Sequence, residues 1–283
     1  MKAVTLGFKA FDPHELLCHF VAVEAGFYRD RSLEVELVDI TFVPETEMPK
    51  HWFQASCGAA LASAVKGIPQ RVVFVAVDKP MFWLYARPGI NGIAALKGGR
   101  LATFPAIAPP HHLCNLILTR AGVDVLNDVE LRPARDDVAR LGLLKSGHVD
   151  AAVISSAVAP ARLTALGFTT LCLFGDEIRI PTTGLAVDQS FLEQHPETAA
   201  SMVAAHRQGL QLIHRDPALV GRVLHQHFDV APEYLEVTSR VYPTCFTETG
   251  STTPEIAHAA VSALAKSLGI ASPPDWRNVY RFD

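Results

Sequence analysis

The sequence predicts an α/β protein of two lobes, and three observations predict it. The chain has 283 residues, more than one hydrophobic core usually serves. Strand and helix signals alternate through the first two thirds, the pattern of sheets covered by helices. Two extended stretches bearing Pro80 and Pro181, at 77–85 and 180–187, are suited to carry the chain out of a first lobe and back. One lobe then consists of 1–82 plus 184–283 and the other of 83–183. A pocket between lobes joined in this way closes by hinge motion on its ligand.

Each element has its own signal. Residues 4–8 read as a first strand. Asp12-Pro13-His14-Glu15 follows, with a capping Asp, Pro at the first helical position and Glu three residues after the cap. Leu16, Phe20 and Val23 then recur at helical spacing until Gly26 ends the helix. Strands are expected at 33–40, 71–77 and 81–86. In the middle third, strands at 100–104, 129–132, 151–154 and 170–174 alternate with helices. Pro109-Pro110 opens one of these helices, Asp136 or Asp137 caps the next, and Gly167 ends the last. From Asp188 the chain turns helical, with Pro196, Pro217, Pro232 and Pro254 at first turns and Asp216 and Thr253 as caps. Val203, His206, Leu210 and Ile213 mark a buried helical face.

Composition narrows the function. With 49% hydrophobic and 19% charged residues the chain can bury a core, which argues against long disorder. A net charge of −4 and the lack of any Lys/Arg run argue against nucleic acid. No apolar run reaches the roughly 20 residues that span a bilayer. Met1-Lys2-Ala3 enters the first strand directly, so the expectation is a cytoplasmic protein, or a periplasmic one if a leader was removed. Cys18, Cys57, Cys114, Cys172 and Cys245 are scattered and odd in number, with no CxxC. That pattern points away from a disulfide framework or structural zinc, and no metal or cofactor is expected.

Four stretches in order carry a resemblance. They are Phe20-Val21-Ala22-Val23-Glu24-Ala25-Gly26-Phe27-Tyr28 with Leu33-Glu34-Val35-Glu36-Leu37-Val38, then Leu61-Ala62-Ser63-Ala64-Val65-Lys66-Gly67-Ile68-Pro69. Ala95-Leu96-Lys97-Gly98-Gly99-Arg100-Leu101-Ala102 and Leu143-Leu144-Lys145-Ser146-Gly147-His148-Val149-Asp150-Ala151-Ala152 complete them. Together they resemble the solute-binding family that serves sulfonate, taurine, nitrate and thiamine-pyrimidine-precursor uptake. The resemblance implies the type II periplasmic-binding-protein fold, a two-lobed venus flytrap with a mixed sheet in each lobe and a helical C-terminal third. It further implies the substrate-binding component of an ABC importer, with a small organic ligand and a permease as partners. The same fold also hosts a desulfinase, dihydroxyphthalate-type decarboxylases and a pyrimidine synthase. The alternative is therefore a cytoplasmic, cofactor-free decarboxylase or lyase acting on a small aromatic acid, with a ligand sensor as a third reading.

One departure bears on the ligand. Sulfonate-binding members of the family carry a Gly- and Ser-rich loop after the strand matching 101–104, whose hydroxyls and amides hold the anion. Here the loop is Pro105-Ala106-Ile107-Ala108-Pro109-Pro110-His111, in which three prolines remove three N–H donors and no hydroxyl replaces them. An aromatic or heteroaromatic, carboxylate-type ligand fits such a loop better than a sulfonate does.

Ligand contacts are expected on the loops at the carboxyl edges of the strands. The first loop offers Lys9, Phe11 to stack on a planar ligand, and His14 to donate to it, against a solvated first-turn His14. The second offers Ser56, Cys57 and Gly58 at a helix start, where amides could meet a carboxylate; Cys57 is a nucleophile if His14 or His51 lowers its pKa, or a small buried residue. In the middle lobe Phe104, Ala106 and His111 follow a strand, and adjacent His111 and His112 point too far apart on a helix to share a metal. Ser155, Ser156, Thr182 and Thr183 supply hydroxyls for ligand or for capping. Trp83 is a ligand wall or core, and Arg132, Arg135 and Arg179 pair a carboxylate or stay solvated. His225 and His227 are read as surface residues. In the enzyme reading the catalytic set is His14, Cys57 and His111.

Overall fold

The computed structural model describes residues 1–282. The chain forms β1 (Lys2–Phe8), α1 (Pro13–Glu24), β2 (Leu33–Asp39), β3 (Phe53–Ser56), α2 (Cys57–Val65) and β4 (Gln70–Val77). Next come β5 (Phe82–Ala86), β6 (Gly99–Thr103), α3 (Pro109–Arg120), β7 (Val129–Pro133), α4 (Asp137–Lys145) and β8 (Ala151–Ser155). They are followed by α5 (Pro160–Ala165), β9 (Thr169–Leu173), α6 (Phe174–Glu177), β10 (Thr183–Asp188), α7 (Gln189–Gln194) and α8 (Pro196–Arg215). The chain then runs through α9 (Pro217–Phe228), α10 (Pro232–Val241) and α11 (Pro254–Ser267).

These elements make two compact units. The first contains Met1–Asp78, Ile180–Asp229 and the chain from Ser239 onward; the second contains Lys79–Arg179 and Val230–Thr238. Each has a five-stranded mixed sheet flanked by helices, ordered β2-β1-β3-β10-β4 in the first and β7-β6-β8-β5-β9 in the second. In both, three neighbouring strands run parallel and one strand runs antiparallel to its two neighbours. The stretch 180–187 is therefore more than an extended connection. Its second part is β10, threaded between β3 and β4, and Gly184 admits it there. A Cβ on Gly184 would stand 2.0 Å from the Phe74 carbonyl oxygen.

Both faces of the first sheet are buried. On one, Cys57 and Leu61 of α2 pack with Val72 and Val75 of β4, Ala257 and Val261 of α11, and Tyr280. On the other, α1 lies against α8, and Gly209 permits the close approach, since a Cβ there would lie 2.9 Å from the Cys18 carbonyl oxygen. The buried face of α8 is Met202, Ala205, His206, Gly209, Leu210 and Ile213, with Val203 at its margin. Each buried Leu, Val or Met side chain in these layers contributes about 1.5–3 kcal/mol.

Three polar side chains inside this core, His206, Tyr28 and His19, are joined by one chain of hydrogen bonds. His206 Nδ1–H donates to the Met202 carbonyl at 3.1 Å. Its Nε2 is then the acceptor for the Tyr28 hydroxyl at 3.4 Å, and Tyr28 oxygen accepts from His19 Nδ1–H at 3.0 Å. Burial pulls His19 to about 3 and His206 to about 4, so both rings are neutral.

The second sheet packs Leu84, Leu101 and Val153 against Cys114, Ile117 and Leu118 of α3 and against Phe174. Trp83 is core in this unit, 4% exposed on β5. The helix starts follow the capping rules. Asp12 accepts from Glu15 N–H, Asp136 from Ala139 N–H, and Asp216 from Leu219 N–H, and each of the four prolines named from sequence begins its helix. None of the five cysteines is in a disulfide. No helix among the described residues is long and apolar enough to cross a membrane.

Candidate functional site

The carboxyl edge of the first sheet gathers the ends of β1 and β3 and the start of β10. After β1 the chain must turn sharply into α1, and Glu15 holds that turn. Its two carboxyl oxygens accept the Lys9 and Ala10 N–H groups at 2.9 Å each. Burial pushes the Glu15 carboxyl up to about 8, against the pull of those two donors. The turn presents Phe11, which is 53% exposed yet fixed by ring contacts with Phe8, Phe20 and Phe228 at 5.6, 5.7 and 5.8 Å. Lys9 is half-buried beside it.

His14 is buried rather than solvated, at 7% exposure. Its protons follow from its partners. Thr182 Oγ1 has one hydrogen and gives it to the Val77 carbonyl at 3.1 Å, so His14 Nε2–H must donate to Thr182 Oγ1 at 2.8 Å. Thr183 Oγ1 donates to the His14 carbonyl at 2.8 Å. Desolvation pulls His14 down to about 3, and the ring is neutral at physiological pH. His14, Thr182 and Thr183 thus form one cluster that joins α1 to β10.

Ser56 caps α2 and accepts from Ala59 N–H at 3.3 Å. Gly58 N–H donates to the Thr182 carbonyl at 3.1 Å, so these two amides are engaged within the protein and do not point outward to a carboxylate. The Cys57 side chain is fully buried in the core and its thiol donates to the Phe74 carbonyl at 3.5 Å. Burial holds that thiol well above the ordinary range, in the protonated, non-nucleophilic form. His51, the other proposed activator, is exposed and edge-on to Trp52 at 6.2 Å.

The carboxyl edge of the second sheet is built around a residue that sequence reading missed. Arg140 of α4 is 1% exposed, and its guanidinium carbon lies 3.6 Å above the Phe104 ring. Nε donates to the Val153 carbonyl at 2.8 Å and Nη1 to the Ala134 carbonyl at 2.9 Å. Nη2 meets Asp137 Oδ1 at 2.7 Å. One side chain therefore ties the ends of β6, β7 and β8 together. Phe104, a ligand wall or a core residue from sequence, has one face covered by Arg140 and packs at 5.4 Å on Phe82.

Asp137 completes the set. Ser155 N–H donates to its Oδ1 at 2.9 Å and Ser155 Oγ–H to its Oδ2 at 2.6 Å, which commits the hydroxyl proton of Ser155. Ser156 is buried beside it at 1%. Ala106 is exposed on the Pro-rich loop, as is Ile107. His111 is buried at 8% in the first turn of α3 and donates from Nδ1 to the Phe104 carbonyl at 3.1 Å, while His112 is exposed at 89° to it.

The remaining candidates lie apart from both edges' clusters. Arg132 pairs with Glu130 at 2.7 Å, and Arg135 and Arg179 are exposed. His227 stacks on Phe20 at 4.1 Å and meets Glu24 at 3.1 Å, so it belongs to the wall behind Phe11 rather than to open surface. No group of three or more His, Cys, Asp or Glu among the described residues could hold a metal ion.

The chain is similar in structure to the periplasmic aliphatic sulphonate binding protein SsuA of Escherichia coli, with TM-score 0.76 and 15% identity over 99% of each chain. It is similar to the alkanesulfonate-binding protein SsuA of Xanthomonas axonopodis pv. citri bound to MOPS, with TM-score 0.75 and 15% identity over 99% of this chain and 98% of that one. The desulfurization enzyme DSZB shares the fold at TM-score 0.69 and 15% identity, over 94% of this chain and 91% of its own. These likenesses establish the periplasmic-binding-protein type of fold. No curated protein matches the chain by sequence. The NMT1/THI5-like family profile matches residues 15–219, most of the chain, and the chain belongs to that family.

Proposed function

We propose that this protein binds a small aromatic or heteroaromatic molecule carrying a carboxylate and hands it to an ABC permease without changing it. The observation that carries the reading is Phe11. A half-exposed ring held on three sides by aromatic neighbours, at the carboxyl edge of a sheet, is a preorganised stacking platform in a solute-binding fold. Lys9 supplies a cation on the same turn, suited to the carboxylate. The test is a thermal-shift and mass-spectrometric screen of aromatic acids, pyrimidines and sulfonates. Saturable stabilisation by aromatic acids, with the compound recovered unchanged, is expected. A flat response across the panel overturns the reading.

The second reading is a lyase on the same fold, favoured by the likeness to DSZB. Against it stand the protonated, buried Cys57 thiol and a His14 whose Nε2–H is committed to Thr182 and whose burial keeps it neutral. Turnover that disappears in His14→Ala, with the fold intact, would establish this reading over the first.

A further inference from the structure

The carboxyl edge of the second unit already holds an anion of its own. Asp137 sits in a set of donors such as a protein builds for a bound carboxylate or sulfonate. One guanidinium N–H comes from Arg140, one backbone N–H from Ser155 and one hydroxyl from Ser155, at 2.7, 2.9 and 2.6 Å. Arg140 is buried, so its charge needs a compensating anion nearby, and Asp137 supplies it. The Asp137 side chain is 14% exposed, so the place it fills is reachable from solvent. The adjacent loop at 105–110 adds three prolines and no hydroxyl.

We propose that Asp137 is a resident anion that determines specificity: it occupies the donor set at the end of β8 and thereby rejects anionic ligand groups there. A sulfonate approaching Ser155 would meet a carboxylate instead of free donors. Like charges at that range repel, and the repulsion is strong where water is excluded. A ligand group that reaches this edge is uncharged. This deepens the proposed function and rests on it for the presence of a ligand, but its test requires none.

The experiment is chemical rescue. Asp137→Ala removes the carboxylate and leaves Arg140 and the Ser155 donors facing a vacated space. Its melting temperature is followed by calorimetry against formate and against methanesulfonate, with chloride holding ionic strength constant. A saturable rise of a few degrees with formate or methanesulfonate is expected in Asp137→Ala. Wild type and Asp137→Asn, in which a side chain still fills the space, should show no saturable response. An Ala variant that answers formate no more than wild type does overturns the proposal, as does a wild type that binds methanesulfonate saturably. Should Asp137→Ala not fold in chloride, the same titration on Asp137→Ser decides, and a Ser variant indifferent to both anions counts against the proposal. A protein that shows anion rescue yet binds nothing in the aromatic panel would sink the functional reading alone.

Discussion

Phe11 and His14 sit three residues apart and behave oppositely. Phe11 keeps a face in solvent, so its removal should weaken binding more than it weakens the fold. Phe11→Ala is expected to reduce affinity for an aromatic acid about tenfold, near 1.4 kcal/mol, and to lower the melting temperature by a few degrees through the lost ring contacts. Titration calorimetry on the compound that stabilises wild type most would check this, and an unchanged Kd would remove Phe11 from the contact set. Cys57 makes the contrary case. Its thiol is buried and protonated, so Cys57→Ser should leave binding intact while costing about 1 kcal/mol of stability, read from urea melts. Loss of binding at unchanged stability would reinstate it as a functional group.

At the scale of elements, the strands and helices of a βαβ protein announce themselves through period and punctuation, and those signals are local. Asp12-Pro13, Pro109-Pro110 and Asp216-Pro217 locate their helices because capping and the proline ring act within one turn. What stayed illegible was long-range. The stretch at 180–187 reads as extended from sequence, and nothing local says that its second part pairs with both β3 and β4. Arg140 looks like any charged residue on an amphipathic helix until β6, β7 and β8 are brought beside it. The same holds for Glu15, legible as a capping-box residue but not as the clasp on Lys9 and Ala10. The position of Phe11 at the sheet edge was legible because it follows from the loop's own sequence, and the roles of Arg140 and Glu15 were not because they arise from convergence. Gly184 gives the element-scale test. Gly184→Ala would drive a methyl group into the Phe74 backbone and should cost about 3 kcal/mol, lowering the melting temperature by roughly 6–12 °C. A melting temperature within a degree of wild type would mean that β10 shifts freely, contrary to its pairing on both sides.

For the whole molecule, buried neutral histidines set the acid limit of stability. His14, His19 and His206 have folded values of about 3, 3 and 4, below the unfolded value near 6.5. Groups depressed in the fold contribute stability that is present above the unfolded pKa and lost as pH falls towards the folded one. Stability should therefore fall as pH drops from 6.5 towards 4, by up to about 1.4 kcal/mol per pH unit for each proton bound. Glu15 works in the opposite sense, its contribution being present below about 4.5 and lost as pH rises through about 8. Calorimetric melts across this range should show a steep acid limb, and a flat profile between pH 6.5 and 5 would contradict the burial of these rings. The excursion into the second unit leaves after Asp78 and returns at Ile180, where Ile180 N–H donates to the Asp78 carbonyl at 2.8 Å and Thr182 N–H to the Val77 carbonyl at 2.9 Å. Departure and return thus share one doorway, flanked by antiparallel neighbours β4 and β10. In engineering terms those two strands are the arms of a hairpin whose turn has been replaced by about a hundred residues. Substituting an Asn-Gly turn for 79–179 should leave the five-stranded sheet of the first unit uninterrupted, while Val230–Thr238 loses the unit it packs in.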